Sequence, residues 1–269
     1  MDSSSTSQFV HFTVQDLVGV ITLHREPQNR VNRQVFIDLD RALGDAARAG
    51  VRSLLIRAEG KDFSLGGEFR EWPTLNSYLA RRERFAFSNS VLQKLESLPI
   101  PTVTAVQGRA FGGGFELALH TDLIVASASA RFRFPEATVA VPPLAGGAQR
   151  IAERAGRGVA ARLVMLSEEI DSAEAARLNL IVRVAPDFDL LSEAMALARK
   201  LASGPTRAHA ATKGLLSAWA AGGVQGADSQ MIELISNVLA TDDVSAGVAA
   251  ATRALESGTE RPELIFDGH

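Results

Sequence analysis

The chain contains no cysteine among its 269 residues. This absence excludes disulfide bonds and thiolate chemistry, although it leaves the redox environment of the protein open. The longest apolar runs are interrupted by polar residues or by glycines, so the sequence predicts no membrane span. An excess of positive charge is also missing, because 28 lysines and arginines stand against 31 aspartates and glutamates, for a net charge of −3. We therefore expect neither a nucleic-acid partner nor an anionic membrane surface as a partner.

The polar segment 1–8 lacks the basic and apolar regions of a secretory signal, and we expect a soluble, cytoplasmic protein. The whole chain is 46% hydrophobic and 22% charged. A chain of this size and composition can bury one large core, or a core with an appended helical piece. We expect one catalytic domain with a small helical tail.

Strand and helix patterns alternate over the first half of the chain. Segments 9–14 and 18–24 predict a β-hairpin. Further strands are predicted at 53–58, 102–107, 122–127 and 131–134, and helices at 33–49, 74–97 and 112–121. This alternation predicts a mainly parallel sheet that is covered by helices. After residue 146, strand signals are nearly confined to 180–184, and alanine-rich helices are expected at 190–202, 205–220, 230–240 and 243–255.

The segment 108–150 carries the strongest chemical signal. The three glycines Gly112 to Gly114 precede an apolar helix and leave backbone amides accessible to a ligand atom. Glu116 and Glu136 both lie in apolar sequence, where burial raises the pKa of a glutamate from about 4.3. Amide donors for a developing oxyanion, together with an acid and a base, favour proton transfer beside a carbonyl group such as that of a thioester.

Three motifs carry a resemblance to a known family. They are Phe63-Ser-Leu-Gly-Gly-Glu-Phe69, then Ala105-Val-Gln-Gly-Arg-Ala-Phe-Gly-Gly-Gly-Phe-Glu-Leu-Ala-Leu119 followed by 121–127, and Phe132-Arg-Phe-Pro-Glu136 running on to Pro143 and 146–150. Over roughly residues 9–255 the sequence resembles the crotonase, or enoyl-CoA hydratase/isomerase, superfamily. The resemblance implies an α/β fold with a crotonase-like ββα spiral core in residues 1–200 and a helical C-terminal region in 201–269. That region is used for trimerisation, so a homotrimer or a dimer of trimers is expected.

The resemblance also implies roles for the glycines and glutamates. The backbone amides of Gly67 and Gly113 would form an oxyanion hole, although the glycines could instead serve only a turn and close helix packing. Glu116 and Glu136 match the acid/base pair that family hydratases place around a bound water. Either glutamate could instead be structural and paired with an arginine, and for Glu116 this alternative is the stronger one, because family members with other activities often keep a single acid.

Segments 25–31 and 66–70 correspond to the elements that bind coenzyme A (CoA) in the family. Within them, Val31 and Gly66 are candidate substrate-binding residues, and Arg30 or Arg70 could meet phosphates or could be solvated surface charges. Near the C-terminus, the family often has an aromatic residue and a lysine over the adenine, whereas this chain has Ala251 and Ala254. That difference weakens the inference that CoA is bound.

Leu144 is a second departure, because it stands where the family's hydratases have a glycine close to the water and the substrate. Its side chain should narrow the site or displace the water. Two other residues have plainer interpretations: His120 is expected to be a hydrogen-bonded core or interface histidine rather than a metal ligand, and Asp122 a structural hydrogen-bonding residue.

The resemblance implies hydration of an α,β-unsaturated acyl-CoA through an enolate-like intermediate, as in fatty-acid metabolism. The CoA thioester is the substrate, and no metal or redox cofactor is expected. One alternative is an isomerase, a hydrolase or a carbon–carbon bond-cleaving enzyme that uses mainly Glu136 on a substrate that need not carry CoA. Another is an oligomeric binding or scaffold protein with weak catalysis.

Overall fold

Two β-sheets organise the described part of the chain, residues 8–268 of a computed structural model. The polar segment 1–7, on which the expectation about a secretory signal rests, lies outside the described residues. The strands are β1 Val10–Gln15, β2 Val18–Leu23, β3 Ser53–Ala58, β4 Thr102–Val106, β5 Arg109–Phe111, β6 Leu123–Ser127, β7 Arg131–Arg133, β8 Glu169–Asp171 and β9 Arg183–Ala185. Among the helices of residues 8–268, none is long and apolar enough to cross a membrane.

The larger sheet has the strand order β1-β2-β3-β4-β6-β9. The hairpin partner β1 runs antiparallel to β2, and the remaining neighbours pair in parallel, which confirms the predicted hairpin and mainly parallel sheet. Both faces of the inner strands β2, β3, β4 and β6 are buried, as continuous runs of apolar residues in such strands predict. Alternate residues of β3 point to opposite faces: Leu55 packs with helix Leu190–Ala202, and Leu54 and Ile56 belong to the larger core on the other face.

The helices are α1 Arg33–Arg48, α2 Tyr78–Glu96, α3 Gly113–Leu119, α4 Gly147–Ala155, α5 Arg157–Met165, α6 Ser172–Arg177, α7 Leu190–Ala202, α8 Thr206–Leu239 and α9 Asp242–Ser257. Helix α2 begins four residues later than predicted. Segment Phe69–Thr74 is a 3₁₀ helix that contains Pro73, and Ser77 then caps α2 by accepting a hydrogen bond from the Ala80 N–H at 3.1 Å. The helices predicted at 205–220 and 230–240 are both parts of α8, which is interrupted by non-helical backbone at Gly222 and Gly223.

The smaller sheet, β5-β7-β8, brings the two glutamates together. Strands β5 and β7 are parallel, and Phe111 at the end of β5 lies opposite Arg133 at the end of β7. The Gly112 N–H continues this pairing by donating to the Arg133 carbonyl at 2.9 Å. Helix α3, which carries Glu116, and the 3₁₀ helix Pro135–Val139, which carries Glu136, therefore both start at the same edge of this sheet.

Candidate active site

A single cavity, with an empty volume of about 830 Å³ including its open mouth, collects most of the candidate residues. Its walls include Val31, Gly66, Gly67, Gly112, Gly113, Glu116, Glu136 and Leu144. Two glycine loops, one with Gly66 and Gly67 and the other with Gly112 and Gly113, thus face the same space as the two glutamates, although these segments are well separated in the sequence. Arg30 and Arg70 are not part of the walls.

The two glycine loops pack backbone against backbone. The Phe111 N–H donates to the Ser64 carbonyl at 2.9 Å, and a methyl group at Gly66 would lie 2.6 Å from the Phe111 carbonyl oxygen. Gly66 also has a φ of +80°, which disfavours any other residue. Within residues 8–268, the amides of Gly67 and Gly113 have no protein acceptor. Since Gly113 is also the first residue of α3, both amides are available to a carbonyl oxygen in the cavity.

Glu116 is buried, with 2% of its surface exposed, and it is held by backbone amides. Its Oε1 accepts hydrogen bonds from the Ala145 N–H at 2.7 Å and from the Gly147 N–H at 2.9 Å, at the start of α4. Burial raises the pKa of Glu116 above its usual value, and the two amides act in the opposite direction by stabilising the anion. Within residues 8–268, Glu116 forms no salt bridge with an arginine: Arg150 pairs with Glu96, with Nε 2.9 Å from Oε1, and Arg133 donates to the Ser167 carbonyl at 2.8 Å. The alternative of an ion-paired structural glutamate is therefore wrong for this residue.

Glu136 crosses directly over Gly112. A methyl group at position 112 would lie 2.5 Å from Oε1 of Glu136, so only glycine leaves room for this carboxyl group. The other oxygen, Oε2, is buried and has no hydrogen-bond partner among the described residues. Burial, and secondarily the negative charge of Glu116, raises the pKa of Glu136 to about 7. Near neutral pH this carboxyl group can either hold or release a proton.

The two candidate arginines bind protein groups. Arg30 donates from Nη1 to the Gly67 carbonyl at 3.1 Å, so it supports the loop that presents the Gly67 amide. Arg70 has 82% of its side chain exposed and pairs with Glu68, with Nη2 2.7 Å from Oε2. The hydrogen bond from Arg70 is the largest cause that lowers the pKa of Glu68 to about 2. A contact of either arginine with phosphate stays a prediction.

The interpretations of His120 and Asp122 are confirmed. Nδ1 of His120 lies 2.7 Å from the Glu116 carbonyl oxygen, and burial lowers the pKa of this histidine to about 4. Asp122 accepts hydrogen bonds from the Thr102 N–H at 2.8 Å and from Nζ of Lys213 at 2.8 Å, and so ties β4 to α8. Neither residue lines the cavity.

The sequence did not reveal how Glu116 is held or why Gly112 must be glycine. The donors to Glu116 are the backbone amides of Ala145 and Gly147. Because almost every residue has a backbone amide, the residue type does not indicate which amide will donate. Gly147 offered an indirect signal, because a glycine at the start of a helix often marks a close approach. In the structure, a methyl group at Gly147 would lie 2.9 Å from Cγ of Glu116.

The fold and the site define a class of enzyme in which two backbone amides polarise a carbonyl group and buried carboxyl groups move protons beside it. The model of the enoyl-CoA hydratase/isomerase family matches residues 13–255, and the chain belongs to this family. The predicted family and the crotonase-like fold are thereby confirmed.

Individual relatives agree with this assignment. The chain is 34% identical to a probable enoyl-CoA hydratase, echA8, of Mycobacterium bovis over 239 residues, which cover 87% of this chain and 90% of the relative. It is 31% identical to the short-chain-enoyl-CoA hydratase of Clostridium acetobutylicum, over 69% of this chain and 72% of the relative. A crystal structure of a putative enoyl-CoA hydratase from Streptomyces coelicolor A3(2) superposes with a TM-score of 0.87 at 28% identity, covering 100% of this chain and 98% of that one. These similarities support an enoyl-CoA hydratase-like enzyme.

Proposed function

We propose that this protein adds water across the double bond of an α,β-unsaturated acyl-CoA thioester, and catalyses the reverse dehydration. The observation that carries the proposal is the meeting, in one cavity, of two buried carboxyl groups and two amide donors that have no acceptor among the described residues. A binding or scaffold protein would not need a buried carboxyl oxygen without a partner, which is costly to keep.

The geometry supports distinct roles for the two glutamates. The thioester oxygen accepts hydrogen bonds from the Gly67 and Gly113 amides, which stabilise the negative charge of the enolate-like intermediate. Glu116, which is held in place by two backbone amides, takes a proton from water as the water oxygen bonds to the β-carbon. Glu136, whose pKa is about 7, donates its proton to the α-carbon. The two proton transfers balance, because one carboxyl group gains the proton that the other gives to product.

Leu144 supports a second candidate function. This residue lines the cavity, in which the hydration mechanism requires room for water. If water is displaced, Glu136 alone can move a proton between carbons, and the same oxyanion hole would serve double-bond isomerisation. Thioester hydrolysis or carbon–carbon cleavage, on a substrate that need not carry CoA, belongs to the same alternative.

We also propose that the CoA thioester is bound as substrate without a further cofactor, in fatty-acid metabolism in the cytoplasm. The proposed assembly is a homotrimer or a dimer of trimers. Large apolar side chains exposed on α8 and α9 of the isolated chain support it; they are Leu216, Trp219, Val224, Ile232, Leu239, Val248 and Leu255.

The test of hydration follows the loss of ultraviolet absorbance of crotonyl-CoA and trans-2-hexenoyl-CoA with purified protein. We expect Glu116→Gln and Glu136→Gln each to lower kcat by at least about 100-fold, the lower range of a general acid or base. Glu153→Gln, which removes the same charge from an exposed position of α4, is the matched control and should keep full activity. Full activity of Glu116→Gln contradicts hydration by the two glutamates and favours the Glu136-only chemistry.

A further inference from the structure

One arginine of the cavity wall has no part in the proposed proton transfers. Arg84, on α2, lines the same cavity as Glu116 and Glu136, and only 13% of its side chain is exposed. Within residues 8–268, its side chain donates no hydrogen bond to a protein acceptor. An arginine carries five N–H donors and stays charged in proteins, so this one has donors available for a ligand.

The charges around Arg84 are not balanced. Its nearest carboxylate is that of Glu71, with Nη2 3.9 Å from Oε2, which is beyond hydrogen-bond distance. The same Oε2 already accepts a hydrogen bond from the backbone N–H of Arg33 at 3.2 Å. Glu71 therefore attracts Arg84 without forming a hydrogen bond to it, and a second negative charge that could accept such hydrogen bonds would be stabilised beside this cation.

The surroundings of Arg84 are otherwise apolar. Its Cζ lies 5.4 Å from the centroid of the Phe36 ring, and Trp72, Leu75 and Phe85 contribute further apolar walls to the cavity. Burial of this kind lowers the pKa of Arg84, which reflects the cost of keeping the charge away from water. An acyl chain that ended in a methyl group would cover the guanidinium and leave it unpaired. A chain that ended in a carboxylate would accept two of its hydrogen bonds in the geometry that arginine favours.

We infer that Arg84 selects unsaturated acyl-CoA substrates whose acyl chain ends in a carboxylate. The inference rests on the proposed hydratase function, because it names the substrate class of that site. Arg84 acts here as a specificity residue that binds the far end of the acyl chain, and the oxyanion hole and the two glutamates keep their roles.

The kinetic test compares enoyl-CoA substrates of equal chain length that end in a carboxylate or in a methyl group. At one chain length, we expect kcat/KM of the wild type to be about 10- to 100-fold higher for the carboxylate-ended substrate than for the methyl-ended one. This is the range expected of a hydrogen bond to a charged group. Arg84→Met should remove this preference by lowering kcat/KM for the carboxylate-ended substrate, and Arg84→Lys should restore part of it. Arg82→Met, which removes an exposed charge from the same helix, should leave the preference unchanged.

A binding measurement separates this inference from the proposed reaction. Calorimetry compares the binding affinities of acyl-CoA ligands without a double bond, which the enzyme cannot hydrate. The carboxylate-ended ligands are succinyl-, adipyl- and suberyl-CoA, and the methyl-ended ligands of equal length are butyryl-, hexanoyl- and octanoyl-CoA. Tighter binding of a carboxylate-ended ligand, lost in Arg84→Met and kept in Arg82→Met, supports Arg84 as the specificity residue even where hydration fails. Equal binding within each pair, or a preference that survives in Arg84→Met, overturns the inference while the hydration assay stands by itself.

Discussion

Glu136 has a buried oxygen without a hydrogen-bond partner in residues 8–268 and a pKa raised by burial, and these two features have one consequence for folding. The pKa is about 7 in the folded chain, against an ordinary value of 4.5 for a glutamate. The folded state therefore binds a proton more tightly than the unfolded state, and this proton contributes stability that is lost as the pH rises from about 4.5 to about 7. The carboxylate is thus kept at the site at a cost in stability, as is common for functional groups.

Glu136→Gln should remove that loss. As the pH rises from about 5 to about 8, the wild type loses stability that the variant keeps. We therefore expect the difference in free energy of unfolding to shift by up to about 3 kcal/mol in favour of the variant over this range. Urea unfolding at the two pH values measures the change, and Glu153→Gln again serves as the control for net charge. A difference between Glu136→Gln and wild type that stays constant with pH would contradict the raised pKa.

At the scale of elements, the positions of the two glutamates depend on where short strands end and where helix α4 begins. Strands β5 and β7 are three residues each, and their parallel pairing closes the separation between the two glutamates. Neither β5 nor β8 was predicted, because three residues are too few for an alternation pattern to stand out. The start of α4 is equally specific, since its first residue, Gly147, packs against α3 and supplies one of the amides that hold Glu116.

Gly147→Ala tests this contact between α3 and α4. The added methyl group would lie 2.6 Å from Cε1 of Phe134 and 2.9 Å from Cγ of Glu116, so we expect a loss of about 1–3 kcal/mol in stability, together with lower activity. The matched control is Gly158→Ala at the start of α5, where a methyl group meets nothing within 4 Å. The control should change stability by less than about 1 kcal/mol. Equal thermal unfolding midpoints of the two variants would show that the close approach at Gly147 does not restrict the site.

For the whole molecule, the sequence predicted the features that depend on the type of each residue and on its position along the chain. The hairpin, the parallel sheet, the family and the residues Gly67, Gly113, Glu116 and Glu136 all came from patterns or motifs. What it missed depends on tertiary surroundings: a charge such as Arg84 on a polar helix is typical of a solvated face, and only the packing of α2 over the cavity buries it. Backbone donors such as the Gly147 amide cannot be predicted from side-chain type.

At the scale of the whole molecule, the exposed apolar residues of α8 allow the proposed assembly to be tested. In the isolated chain, Val224 is 65% exposed and Ile232 is 71% exposed. If they are buried between subunits, each contributes about 1.5–3 kcal/mol to association, and a charge at either position adds a desolvation cost.

The double variant Val224→Asp/Ile232→Asp should therefore dissociate. Sedimentation velocity at micromolar concentration should give a trimer or hexamer for the wild type and a monomer for the variant, with an unchanged far-ultraviolet circular dichroism spectrum. Ser229→Asp adds a charge at an exposed polar position of the same helix and should keep the wild-type mass. A monomeric wild type, or a double variant that sediments like it, would contradict a trimer built on α8.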